Sequence, residues 1–306
     1  MKTHFKIIPV LMTLILLFSL TSCGDDAAGG TSAALDREGN SITLPKNIEK
    51  IISLGPSNTE ILVALGHGGK IIAVDTYSDN IPGTDPGIPM FDMLAPDGEQ
   101  LINLQPDVIF VTGMSREGGG NLLKSVSDSG ICVIYIPSSS SIEAIKEDIM
   151  YIAAVMDTES LGEEIVSGME SAIADFRKTG ESIAERRKVY FEIEAAPHLC
   201  TFGDGVFLNE LIEIIGADNV FGGQNSWFRP TDESVLHADP DVILTSVNYI
   251  EDPVGEIKSR PGWNEITAVK NNEVYFIDTD SSNRPSHNII KAMDEMARAV
   301  YPDIYN

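Results

Sequence analysis

Short, unbroken apolar runs recur along this chain: IISL (51–54), IIAV (71–74), VIFV (108–111) and CVIYI (132–136), then VYFEI (189–193), VILT (242–245) and VYFI (274–277), with NVF (219–221) among the later ones. Runs of this length, lacking polar alternation, predict strands buried on both faces of parallel sheets. Between them lie segments with helical spacing. TEILVALG (59–66) and NELIEIIG (209–216) each read as a short helix stopped by a glycine that can take the left-handed conformation after the last turn.

The second half repeats the first. EQLINLQPDVIFVT from Glu99 aligns without a gap on ESVLHADPDVILTS from Glu233, placing Pro106-Asp107 on Pro240-Asp241. GICVIYIP (130–137) parallels NNEVYFID (271–278). A duplicated unit of this kind predicts two doubly wound α/β lobes with parallel sheets. Ligands of such sheets bind outside the carboxyl ends of the strands, so two facing lobes would hold a ligand cleft between them.

The lobes are joined by helical pattern. Ile142, Ile145, Ile149, Ile152 and Met156 mark one helix, and a break follows at Asp157-Thr158. Ser160 and Glu163 have capping-box spacing, and Leu161, Ile165, Met169, Ile173 and Phe176 then share a face. A helix from there to Arg187 would be about 40 Å long at ~1.5 Å per residue, with Gly180 a candidate interruption. The expected organisation is a leader at 1–22, a tether and short hairpin at 23–45, an N-terminal lobe at 46–140, linker helices at 141–187 and a C-terminal lobe at 188–306. A long, stiff backbone helix between the lobes implies limited opening.

The leader sets the compartment. Lys2 and Lys6 precede an apolar stretch over 7–20, too short for the ~30 Å hydrocarbon core of a bilayer. It ends in Leu20-Thr21-Ser22-Cys23, the pattern of a bacterial lipoprotein box, which makes Cys23 the expected acylation site and the mature first residue. Two or three acyl chains, at ~0.8 kcal/mol per buried CH₂, hold a protein on a membrane. The protein is therefore expected on the outer face of the cytoplasmic membrane, attached through lipid alone.

Net charge is −25, and loss of Lys2 and Lys6 with the leader takes it to −27. Nucleic acid is an unfavourable partner for such a chain. Cys132 and Cys200 have no CxxC or histidine-rich company and read as buried free thiols. GMSREGGGN (113–121) and FGDGVF (202–207) lack the complete phosphate-loop and dinucleotide patterns and read as loops of close approach. No nucleophile–base pair, catalytic carboxylate pair or cofactor fingerprint stands out, so no enzyme activity and no resident cofactor are expected.

Through SLGPSNTEILVALG, TYSDNIPG, LQPDVIF, RPGWNEI and NRPSHNIIKAMDEMARAVYPD, the chain resembles the class III, helical-backbone substrate-binding proteins of ABC importers, with a pattern nearest the cobalamin receptors. The resemblance spans residues 35–305. It implies a monomeric receptor that captures a metal chelate, a corrinoid or a ferric siderophore, and delivers it to a two-fold permease with its ATPase subunits. Haem is the alternative cargo, with Met93, Tyr77, His198 or His287 as candidate axial groups. Free Zn²⁺ or Mn²⁺ would need three or four convergent ligands, and no metal site is expected. A chelatase-like enzyme and a surface sensor or adhesin are the readings from other classes.

Glu99 and Glu233 occupy the positions at which the family docks into arginine pockets of the permease, and they stand at matching places in the repeat. Each would also be favoured there by the dipole of its own helix. For the ligand, the resemblance and the strand-end loops point to Tyr77, Phe91, Met93, Met114, Trp227, Phe228, Arg229, Asp280 and Arg284, with His198 and His287 in loops expected beside the cleft. Aromatic and apolar walls with a few polar anchors suit a large chelate. His67, His237 and Trp263 read as structural.

Overall fold

The computed structural model of the protein describes residues 32–116 and 123–305. The leader, Cys23 and the glycines at 118–120 lie outside the described residues. The described chain begins with an antiparallel hairpin of β1 (Ser32–Leu35) and β2 (Ser41–Leu44). Asp36 holds its turn by accepting from the Glu38 and Asn40 N–H groups.

The N-terminal lobe follows as β3 (Ile51–Leu54), α1 (Pro56–Ala64), β4 (Ile71–Asp75), β5 (Met90–Phe91), α2 (Gly98–Asn103), β6 (Val108–Thr112), α3 (Lys124–Asp128) and β7 (Cys132–Ile136). Its five strands form a parallel sheet in the order β5-β4-β3-β6-β7. The unbroken apolar runs serve two cores at once. Ile51, Val108, Phe110 and Ile134 face the linker helices, whereas their neighbours Ile52, Ile109, Val111 and Val133 pack with Leu101 of α2 and Val126 of α3.

Two linker helices come next, α4 (Ile142–Val155) and α5 (Glu159–Gly180). The C-terminal lobe comprises β8 (Lys188–Glu192), β9 (Thr201–Phe202), α6 (Phe207–Ile214), β10 (Asp218–Asn219), β11 (Trp227–Phe228), α7 (Asp232–Ala238), β12 (Val242–Thr245), α8 (Pro253–Ser259), α9 (Thr267–Lys270), β13 (Val274–Phe276), α10 (Thr279–Asn283) and α11 (Ile289–Val300). Its parallel sheet has the order β10-β8-β12-β13, and β9 and β11 form a separate antiparallel pair. The fold is the expected one: two α/β lobes with parallel sheets, joined by helices. One apolar cluster runs from Ile51 and Phe110, through Ile149, Ile152 and Met169, to Val189, Leu244 and Met293. The lobes therefore share a core, which opposes wide separation.

The linker departs from expectation at both ends. The N-cap of α5 is Thr158, whose side chain makes no cap bond, and Ser160 lies inside the helix, so the Ser160/Glu163 capping box does not form. Thr158 instead faces the imidazole of His67 at 3.5 Å. The helix stops at Gly180 after 22 residues, about 33 Å, and does not reach Arg187. A side chain at 180 would sit 2.2 Å from the Ile214 carbonyl oxygen. That close approach of two backbones turns the chain toward β8.

The repeat is visible in matching devices. Gly66 and Gly216 end α1 and α6 with φ of +82° and +83°. The Asp107 carboxylate accepts from the Glu49 and Lys50 N–H groups at 2.8 Å, and Asp241 accepts from the Lys188 N–H at 2.8 Å. Each Pro-Asp thus ties the end of its short helix to the chain just before or at the first residue of its lobe's leading strand. Cys132 is buried and Cys200 half-buried, both as free thiols.

Candidate functional site

A cleft of about 430 Å³ opens where the two lobes face each other. From the N-terminal lobe it is lined by Pro56, Ser57 and Asn58 after β3, Thr112 at the end of β6 with Met114 beyond it, and Ser138, Ser139 and Ser140 after β7. The C-terminal lobe contributes Gly205, Val206 and Phe207 at the start of α6, Ser226 and Trp227 at β11, and Asn283 at the end of α10 with Arg284 and Pro285 beyond it. On the N-terminal side these are carboxyl-end loops of the sheet, as the architecture requires.

Trp227 reaches the cleft through strand geometry. In β11 it pairs with Phe202 of β9, its ring meets the Phe202 ring edge-on at 5.6 Å, and it stays 47% exposed. Phe228, next in the strand, turns to the other side and packs on Phe221, centroids 5.3 Å apart. Arg229 pairs with Glu194 at 2.9 Å and donates to the His198 carbonyl. Trp227 and Met114 therefore line the cleft, and Phe228, Arg229 and His198 do not.

The other expected residues divide similarly. Phe91 and Met93 are buried in the N-terminal core beneath α2, because the chain around β5 turns them inward. Tyr77 is exposed but is not among the cleft-lining residues. Arg284 does line the cleft, yet its guanidinium is committed elsewhere. It pairs with Glu60 at 3.1 Å and Asp280 at 2.8 Å, and bonds the Tyr77 carbonyl at 2.8 Å and the Asn80 side chain at 3.1 Å. Asp280 also accepts from Asn80 at 2.7 Å. These two residues form a clasp between the lobes.

Glu60 completes that clasp by accepting from Ser286 and from Asn288, the latter at 2.9 Å, at the N-terminus of α11. Its repeat partner Glu210, on α6, accepts from the Ile142 N–H at 3.3 Å, at the N-terminus of α4. Each lobe's first helix thus lends an acid to the start of a helix beyond it, where the dipole favours negative charge. Burial pushes the Glu210 carboxyl above the usual range, opposed by that hydrogen bond. His287 sits beside the clasp, on the face lined by Asp278 and Lys291, and not in the cleft. Burial holds its imidazole below the ordinary histidine value against the pull of Glu60.

Glu99 and Glu233 occupy the same place in their helices. Each is the second residue, after the N-caps Asp97 and Thr231, both of which accept N–H bonds with their side chains. Both glutamates are exposed. Neither side chain makes an ion pair or hydrogen bond recorded among the described residues. Trp263 is fully buried under α7, donating its indole N–H to Asp232 at 2.8 Å.

Sequence reasoning passed over Ser57, Asn58, Thr112, Ser138, Val206 and Phe207. The signal was available: 57, 112 and 138 sit at or just past the carboxyl ends of apolar runs. Among the described residues no group of three or more histidines, cysteines or acids could hold a metal ion, and no helix is long and apolar enough to cross a membrane.

Residues 51–281 match the periplasmic binding protein family. An uncharacterized ABC transporter substrate-binding lipoprotein of Bacillus subtilis strain 168 is 29% identical over 305 residues, covering 95% of this chain and 96% of its own. A vitamin B12-binding protein of Vibrio parahaemolyticus is 24% identical over 250 residues, covering 81% and 88%. A crystal structure described as a possible iron-binding, periplasmic solute-binding protein of Staphylococcus epidermidis aligns with a TM-score of 0.74 at 29% identity, covering 84% of this chain and 100% of the other.

Proposed function

The chain belongs to the periplasmic binding protein family, and we propose that it captures a metal chelate outside the cell for import, with a corrinoid or a ferric siderophore as cargo. It is an ABC transporter substrate-binding protein, a class whose members bind small ligands and hand them to a permease. The chelate is our finer reading. One observation carries it: the cleft is walled by Trp227, Phe207, Met114, Ile136 and Val206, and among the described residues no histidine, cysteine, tyrosine or carboxylate lines it. Such a surface suits a ligand that arrives with its metal already coordinated. A bare cation would find no set of three or four donors there, and haem would find only the Met114 thioether. The vitamin B12-binding relative supports the corrinoid version.

Native mass spectrometry and absorption spectra of the purified protein, mixed in turn with cyanocobalamin, ferric siderophores, haemin and Zn²⁺, test this reading. A stoichiometric corrinoid or siderophore complex supports it, and binding of Zn²⁺ alone would sink it. Trp227→Ala is expected to weaken chelate binding by about 1–3 kcal/mol, as removal of an aromatic anchor does. The bound chelate should quench Trp227 fluorescence, leaving buried Trp263 as the residual emitter. Equal affinity of wild type and variant would move the ligand off this wall.

The anchor belongs to the same proposal. Acylated Cys23 would hold the receptor at the outer face of the cytoplasmic membrane, and the B. subtilis relative is itself named a lipoprotein. Cys23→Ala should abolish incorporation of labelled fatty acid and leave the unprocessed precursor. Continued lipid labelling of that variant would place the attachment elsewhere.

A further inference from the structure

We propose that the floor of the cleft is an oxyanion subsite, in which the N-terminus of α1, the Asn58 amide and the Thr112 hydroxyl bind a carboxylate or phosphate group carried by the ligand. The proposal deepens the receptor reading and rests on it for the cargo, though not for the chemistry of the floor. Asn58 is 1% exposed and Thr112 7% exposed. Asn58 Nδ2, Asn58 Oδ1 and Thr112 Oγ1 are all buried without a hydrogen-bond partner. Buried polar groups are nearly always paired, so unpaired ones in one place mark a missing partner.

Buried polar groups outside the cleft, on the chain next to Asn58 and beyond it, are paired with one another. Thr59 donates to Ser53 at 2.8 Å, and Ser78 donates to Asp75 at 2.5 Å. The Asn58 and Thr112 side chains both lie against the helix start. A Cβ built on Gly55, the N-cap of α1, would lie 3.3 Å from Asn58 Nδ2 and 2.2 Å from a methyl of Thr112. Gly55 supplies no side-chain cap, and Pro56 has no N–H. The first intrahelical bond runs from the Thr59 N–H to the Gly55 carbonyl at 3.0 Å, which leaves the Ser57 and Asn58 N–H groups ahead of it. A helix start with free N–H groups favours negative charge.

Charge around the cleft agrees. The chain carries 46 acidic residues, yet none of the described ones is among those lining the cleft. Across the cleft, α6 also begins without a side-chain cap, at Val206, and Val206 and Phe207 both line the space. The one cation among the described lining residues, Arg284, is balanced by Glu60 and Asp280. Recognition of the anion therefore falls to neutral donors and helix ends, which select for hydrogen-bond geometry as well as charge.

The test begins with inorganic phosphate and acetate on the purified full chain, at constant ionic strength set with chloride. The side-chain NH₂ resonances of Asn58, assigned by their loss in Asn58→Leu, should shift saturably with phosphate or acetate and stay fixed in chloride. Asn58→Leu, which fills the site with an apolar group of similar size, should bind these anions at least tenfold more weakly. It should also melt no lower than wild type in anion-free buffer, because it removes an unpaired amide. A lower melting temperature with an unchanged anion response would overturn the proposal and make Asn58 a structural residue. Ferric chelates with a free carboxylate are then compared with amidated counterparts. At least tenfold preference for the acid in wild type, lost in Asn58→Leu, supports the subsite. Equal binding of acid and amide refutes the subsite while the receptor reading stands, and binding of neither with an intact phosphate response overturns the cargo and leaves the subsite.

Discussion

Reversing Glu99 and Glu233 to Arg together is expected to abolish ligand-dependent transport in reconstituted vesicles while leaving the ligand affinity of the free receptor unchanged. The two acids are exposed second residues of α2 and α7, placed alike by the repeat and held by the side-chain caps of Asp97 and Thr231. A receptor with two matching corners would meet a two-fold permease through them, and acid–Arg contacts would supply register and association rate. Reversal sets like charges together in the complex, a mismatch of several kcal/mol. Each single reversal should give an intermediate defect, and high salt should weaken wild-type docking. At each helix the reversal replaces a favourable dipole interaction with an unfavourable one, each about 0.3–1 kcal/mol, a cost too small to unfold the chain. Normal transport by the double variant would refute the docking role. Loss of ligand binding in solution would refute the separation of docking surface and cleft.

Arg260→Ala is expected to destabilise the C-terminal lobe by about 3–5 kcal/mol, read by denaturant unfolding, since it strands a buried carboxylate. The Arg260 and Glu192 side chains are 6% and 1% exposed and joined by two parallel bonds of 2.7 and 2.8 Å. Arg260 also bonds Glu256 through Nε at 2.9 Å and lies 4.4 Å above the Trp263 ring. Burial already pushes the Glu192 carboxyl above the usual range, and the arginine is what opposes it. Without Arg260, Glu192 would keep its proton in the folded state at pH values where the unfolded carboxyl has lost it. The folded state then binds more protons than the unfolded one, so the variant should lose stability as pH rises through the interval above the ordinary glutamate value. The deficit should be larger at pH 8 than at pH 5, and Glu192→Gln added to Arg260→Ala should reduce both the deficit and its pH dependence. A pH-independent loss, unmoved by Glu192→Gln, would assign Arg260 to packing on Trp263 alone.

The division between what sequence and structure each decided is plain in particular residues. Glu99 and Glu233 were legible because their position depends on local order: a cap, a short helix and Pro-Asp, written twice. The strands were legible for the same reason, since a run such as VIFV is apolar at every position when both faces of a sheet are covered. Cleft membership was not local. Trp227 and Phe228 are adjacent and similar in kind, and only the pairing of β11 with β9 sends one to the cleft and the other to Phe221. Arg284 and Asp280 look like ligand anchors until the lobes meet and Glu60, 224 positions from Arg284, claims the guanidinium. The chain by itself determined the duplication, the parallel sheets and the paired exposed acids, because periodicity and capping act over a few residues. Which polar groups are spent on one another, and which, like Asn58, are left unpaired at the cleft floor, was decided only when two distant halves packed on a shared core.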